Sequence, residues 1–185
     1  MIGDYFSNKY HIDFRSIRYP GIISSAKYAF NGTTDYSTEI FFHALENGEY
    51  KCPLGPKTAL PMMYIDDCIE GTVRFLAADP HKLSRTSYNL AGISFTPEQL
   101  AAEVEKLIPG FRMNYSPDFR QAIADSWPKS IDDKECKQDW DWSYDISVED
   151  LAKKIFNGIE DSYKAHLKFE KPTEATQSHE PVLEF

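Results

Sequence analysis

The 185-residue chain contains no apolar run approaching the ~20 residues that a membrane span needs, so no membrane partner is expected. Its first residues lack the basic and apolar regions of a signal peptide. Positive charge is in short supply: 20 Lys and Arg face 29 Asp and Glu, for a net charge of -9. No basic stripe interrupts that balance, and a nucleic-acid backbone would be repelled. Cysteine is scarce as well. Cys52, Cys68 and Cys136 are odd in number, far apart and free of any CxxC or Cys/His spacing, which points to reduced thiols and no structural zinc. His11, His43, His81, His166 and His179 show no ligand spacing either, so no metal is expected. Neither an internal repeat nor a Gly-rich phosphate loop occurs.

What is present suits one folded domain. Hydrophobic residues make up 42% of the chain, and 185 residues are enough for one core but not comfortably for two. The acidic balance leaves dinucleotides open, because those are held by backbone N–H groups and helix N-termini rather than by net charge.

Met1 to Lys9 reads as the last turns of a helix that begins without a cap. Alternation from Ile12 to Ile17 predicts a strand running into the turn Arg18-Tyr-Pro-Gly21, and a loop containing Asn31-Gly32 follows. Helical spacing predicts elements from Thr34 to Asn47 and from a cap at Asp66 or Asp67 to Ala78. Thr96-Pro97 starts a third helix that ends near Pro109-Gly110. Further helices are expected over about Pro117–Ser126 and from Ser147 to Lys168, with short strands at Tyr50–Leu54 and Ser87–Leu90. Residues 1–168 thus form one folded unit, and the polar, aperiodic stretch from Phe169 to Phe185 is expected to be a disordered tail. Two or three strands among five or six helices give an α/β class with too little sheet for its helices, as in part of a larger sheet domain.

Several segments occur in order: Asp13-Phe-Arg-Ser-Ile-Arg-Tyr-Pro-Gly-Ile-Ile-Ser24, Gly32-Thr-Thr-Asp-Tyr36, Leu60-Pro-Met-Met-Tyr64, Ser94-Phe-Thr-Pro97, Arg120-Gln-Ala-Ile-Ala-Asp-Ser-Trp-Pro128 and Asp139-Trp-Asp-Trp142. Over about residues 1 to 145 they resemble the C-terminal half of the L-threonine 3-dehydrogenase family, extended short-chain dehydrogenases of the epimerase/dehydratase type. The resemblance implies the C-terminal part of a Rossmann-type fold, lacking most of the parallel sheet. It also implies NAD as cofactor, L-threonine as substrate and 2-amino-3-oxobutanoate as product. A homodimer when full length and a mitochondrial location, as for animal members, are implied in the same way.

By that resemblance Tyr19, Pro20, Gly21 and Ile22 touch the nicotinamide end of NAD, while Thr33, Thr34, Asp35 and Trp127 contact substrate. The family has more glycine ahead of Thr33 than Phe30-Asn31-Gly32 supplies. The family's catalytic Tyr/Lys pair and glycine-rich turn would fall before Met1, so no catalytic residue is assigned and the chain alone is expected to be inactive. Tyr5 and Lys9 share the Tyr-x-x-x-Lys spacing, which places them on one helix face, but they lie too near the strand and read as a helix end. Alternatives are a non-catalytic truncated isoform or binding module, and a sugar-nucleotide epimerase or dehydratase.

Overall fold

The computed structural model describes residues 2–26 and 32–170. Its elements run α1 (Ile2–Tyr10), β1 (Ser16–Arg18), β2 (Gly21–Ile23), α2 (Tyr36–Asn47), β3 (Glu49–Cys52), β4 (Leu60–Tyr64), α3 (Ile65–Ala77), a 3-10 turn (Pro80–Lys82), β5 (Ser87–Asn89), β6 (Ile93–Phe95), α4 (Pro97–Leu107), β7 (Arg112–Tyr115), α5 (Phe119–Asp125), α6 (Lys134–Trp140) and α7 (Val148–Glu170). The α/β class expected from the sequence is what forms, with more strands than expected: seven among the described residues, in three small sheets.

The strands pair as β1 with β5, as β2-β4-β6, and as β3 with β7. All pairs are parallel except β4 with β6. β4 is the spine, and all five of its residues are buried. Strand side chains alternate between faces, so Leu60, Met62 and Tyr64 enter one core while Met63 enters another. The larger core lies among α2, α4 and α7, with Ile40, Phe41, Leu100, Val104, Leu151 and Ile155 at its centre. The smaller one joins Met63, Cys68, Phe75, Tyr88, Leu90, Cys136 and Trp142. Met62 and Met63 therefore pack, and Trp142 is core.

Local signals set many boundaries. Thr96 accepts from Gln99 N while the Gln99 side chain accepts from Thr96 N, a complete capping box with Pro97 at the first helical position. Ser147 Oγ accepts the Asp150 N–H at 3.0 Å and starts α7. Gly48, at φ 71°, closes α2 with its N–H on the Ala44 carbonyl.

Other expectations need correction. The strand predicted over 12–17 forms only as β1, Ser16–Arg18, because among the described residues no strand ladder includes residues 12–15. Neither Asp66 nor Asp67 caps α3. Tyr64 occupies the cap position directly at the end of β4, both aspartates lie in the first turn, and Asp67 takes the Lys154 ammonium at 3.1 Å. α7 runs on to Glu170, past the Lys168 expected as the helix end. The tail expected from residue 169 lies, from 171 onward, outside the described residues, as does Asn31. No helix among the described residues is long and apolar enough to cross a membrane.

Candidate functional site

The turn after β1 is held from below. Thr72 Oγ1 donates to the Cys68 carbonyl at 2.7 Å, which leaves the Tyr19 hydroxyl to donate to Thr72 Oγ1 at 2.8 Å. Pro20 is buried, whereas Tyr19 and Ile22 face solvent at 42% and 38% exposure. The turn therefore follows the carboxyl end of a parallel strand and presents an aromatic and an aliphatic side chain outward. Carboxyl ends of parallel strands are where α/β proteins place ligands.

Gly21 is the hinge between the two segments singled out by sequence. A Cβ built there would stand 2.9 Å from the Thr34 methyl carbon and 2.7 Å from Met62 Sδ, so a side chain at 21 would push Thr34 away. Residues 19–22 and 33–35 are thus brought into one cluster. Asp35 occupies the cap position of α2 but does not cap it forward; its Oδ2 reaches back to accept the Gly32 N–H at 2.7 Å. Thr33 is buried. The Thr34 carbonyl receives both the Ser37 N–H at 3.1 Å and the Ser37 hydroxyl at 2.7 Å. Thr38 Oγ1 donates to the Ser24 carbonyl at 3.0 Å, tying α2 to the end of β2.

Trp127 lies elsewhere. It lines a cavity of about 520 Å³ with Gly55, Lys57, Thr58, Asp125 and Lys129, and none of residues 19–22 or 33–35 shares that wall. Gln121 pins this loop, accepting the Gly55 N–H at 2.7 Å and donating to Thr58 Oγ1 at 3.0 Å. The loop leads straight into β4, whose Met62 abuts Gly21. The three residue steps from Ala59 to Met62 span roughly 10 Å.

Sequence reasoning missed a polar group at the carboxyl ends of β2 and β4. Ser25 Oγ and Tyr64 Oη lie 3.1 Å apart, and the Lys154 ammonium sits 4.6 Å over the Tyr64 ring while paired to Asp67. Gly158 of α7 backs the group, since a Cβ there would meet Ser25 Oγ at 2.4 Å. Lys154 is 87 residues from Asp67, so only Tyr64-Ile-Asp-Asp, a chain leaving a strand into a helix, could have flagged the place.

Tyr5 and Lys9 do meet: the ammonium donates to the phenol oxygen at 2.6 Å. Both stand on α1, which buries none of its described residues, and neither lines a cavity described here. The thiols are poor nucleophiles. Burial pushes Cys52 up to about 11 and Cys136 up to about 12. Among the described residues no group of His, Cys, Asp or Glu is arranged to hold a metal ion.

No family model matches the chain. An L-threonine 3-dehydrogenase of Bos taurus, named as mitochondrial, is 46% identical over 158 residues, which are 85% of this chain and 42% of that one. An uncharacterised epimerase/dehydratase of Staphylococcus haemolyticus is 39% identical over 87% of this chain and 51% of its own. The crystal structure of L-threonine dehydrogenase from Phytophthora infestans superposes with a TM-score of 0.83 at 43% identity, over 87% of this chain and 52% of that one. The chain thus spans about half the length of the relatives it matches. Fold and sequence define the class as an α/β protein of the epimerase/dehydratase type. Within that class the chain is a homologue of the L-threonine 3-dehydrogenases and corresponds to part of their length.

Proposed function

We propose that this chain is the C-terminal, substrate-side part of an NAD-dependent L-threonine 3-dehydrogenase, which oxidises L-threonine to 2-amino-3-oxobutanoate. The observation that carries the reading is the contact between Gly21 and Thr34, which joins the two segments matching that family. The turn suits the nicotinamide end of a dinucleotide, because Tyr19 and Ile22 offer exposed aromatic and apolar faces. NAD supplies the hydride acceptor. Tyr19 and Ile22 would hold its nicotinamide end, and Gly21 lets Thr34 approach the same turn. Thr33 and Thr34 bind the substrate carboxylate at the α2 N-terminus, where the helix dipole favours an anion. Asp35 meets the ammonium with Oδ1, its Oδ2 being engaged by Gly32. Trp127, on the segment after α5 that shares a cavity with the loop feeding β4, covers the site by moving toward it and excludes water.

On this reading the general base and the pyrophosphate site come from outside this span, and the full-length protein is proposed to be a homodimer. The bovine and porcine relatives are named as mitochondrial, and the same location is proposed here. The second reading, a sugar-nucleotide epimerase or dehydratase, draws support from the name of the Staphylococcus haemolyticus relative.

Titrating L-threonine into isotope-labelled chain tests the assignment. Amide shifts at Thr33, Thr34 and Asp35 and an indole shift at Trp127 are expected, and Thr34→Ala weakens them about tenfold, roughly 1.4 kcal/mol. Shifts confined to other residues, or shifts produced by a sugar nucleotide and not by threonine, would overturn it. The chain alone, given NAD+ and L-threonine, should form no NADH; steady threonine-dependent formation contradicts that expectation.

A further inference from the structure

A single side-chain amide joins the two segments that border the Trp127 cavity. Gln121, half-buried on α5, turns its Oε1 to the Gly55 N–H at 2.7 Å and its Nε2 to the Asp125 carboxylate at 2.7 Å. A backbone N–H only donates and an ionised carboxylate only accepts, so the two partners fix which way the amide faces. A carboxylate at 121 could serve only the first and an ammonium only the second. The Thr58 hydroxyl sits between the two amide atoms, 3.2 Å from Oε1 and 3.0 Å from Nε2.

Each segment is stiff by itself. On the loop side, the Thr58 N–H returns to the Gly55 carbonyl at 3.2 Å, the Pro56 carbonyl accepts the Glu98 N–H at 3.1 Å, and the Pro53 carbonyl accepts the Asp118 N–H at 3.1 Å. Residues 55–58 therefore form a closed turn that passes through Ala59 into β4. On the helix side, the bonding of α5 runs on past Asp125: the Ser126 and Trp127 N–H groups donate to the Ile123 and Ala124 carbonyls, each at 3.1 Å. Ser126 Oγ adds a bond to the Ile123 carbonyl at 2.6 Å. Trp127 is thus a rigid extension of α5. That helix has seven residues and buries only Ala124, so packing holds it weakly and its bonds to the loop decide where its end points. The cavity of about 520 Å³ lies between the two segments, with Lys57 on one wall and Trp127 on the other.

We propose that Gln121 is a positioning residue for the threonine site: its amide makes the turn 55–58 and the Trp127 arm one body, so that displacement of the turn carries the indole with it. β4 is the route from the site to that turn. Met62 of β4 and the Thr34 methyl carbon both close on Gly21, where an added Cβ would stand 2.7 Å from Met62 Sδ and 2.9 Å from Thr34. Trp127 as the cover over substrate rests on the threonine dehydrogenase reading, whereas the joint rests on the hydrogen bonds of Gln121.

The test repeats the L-threonine titration on isotope-labelled parent chain, Gln121→Leu and Gln121→Glu. In the parent, the Trp127 indole and the Gly55 and Thr58 amides are expected to shift together with the amides of Thr33, Thr34 and Asp35. Gln121→Leu keeps the bulk and removes the bonds, so the Trp127 shift should shrink about fivefold, the factor that one hydrogen bond sets, while the shifts at Thr33, Thr34 and Asp35 keep their size. General unfolding erases both sets instead. Gln121→Glu, which keeps oxygens for the Gly55 N–H and the Thr58 hydroxyl, should restore most of the Trp127 response. A Trp127 shift unchanged in Gln121→Leu, loss of both sets together, a parent Trp127 shift without shifts at Gly55 and Thr58, or no recovery in Gln121→Glu would each overturn the proposal. Relaxation dispersion reads the joint without ligand: residues 55–58 and 125–127 should share one exchange rate in the parent and separate in Gln121→Leu. Different rates, or no exchange, in the parent overturn the joint. Shared exchange with no threonine shifts keeps the joint and removes the threonine reading; threonine shifts at Thr33, Thr34 and Asp35 with separate exchange do the reverse.

Discussion

Gly92 has no freedom to become anything else. A Cβ there would stand 1.9 Å from the Met62 carbonyl oxygen, a backbone atom in the spine strand, so Gly92→Ala must pry β6 from β4. The expected loss is about 3 kcal/mol, within the upper range for single substitutions, measured as a lowered urea midpoint. A loss below about 1 kcal/mol would show that the close approach is not binding. Asp139 offers a pH test. Burial pushes its carboxyl up, but hydrogen bonds from Tyr88 and Ser84 outweigh that and hold it below the ordinary aspartate value of 3.8. A carboxyl lowered in the folded state stabilises the fold fully above its unfolded value, and that contribution drains away as pH falls through the folded one. The stability gap between the parent chain and Asp139→Asn should therefore be largest above about pH 5 and shrink below about pH 4. A gap independent of pH would show that Asp139 acts by packing alone.

At the scale of elements, legibility followed burial pattern. α4 was readable because Thr96, Pro97 and Gln99 each carry a local instruction, and Thr96→Ala should cost about 1 kcal/mol by urea unfolding. No change would mean that tertiary packing, not the cap, sets the helix start. β4 was missed because Leu60-Pro-Met-Met-Tyr64 is buried on both faces and so does not alternate, and because Pro61 argues against a strand. β7 has the opposite problem: Arg112–Tyr115 buries no residue fully and gains its identity from pairing with β3. α6, a seven-residue helix dominated by charge, buries only Cys136, which bonds the Asn89 carbonyl.

The whole molecule is unevenly finished. The core among α2, α4 and α7 is closed, whereas Ile2, Tyr5, Phe6, Tyr10, Ile12 and Phe14 are all exposed at one end of the chain and α3 adds Ile69, Val73 and Leu76. Apolar area gathered this way favours association. The isolated chain should bind a hydrophobic dye such as ANS and melt over a broad, concentration-dependent range, with Val73→Asp lowering the dye signal. A sharp, reversible, dye-free transition would contradict this.

Sequence by itself determined the α/β class, the capped helices, the absence of metal-ligand spacing and the likeness to threonine dehydrogenases, since each is written in local pattern or in contiguous motifs. By resemblance it also marked Tyr19–Ile22 for the cofactor and Thr33–Asp35 with Trp127 for the substrate. Only the tertiary structure decided that the first two meet at Gly21 while Trp127 borders another cavity, because that depends on β2 pairing with β4 in one register. It likewise set Lys154 against Asp67 and Tyr64, since such contacts join residues far apart in the chain.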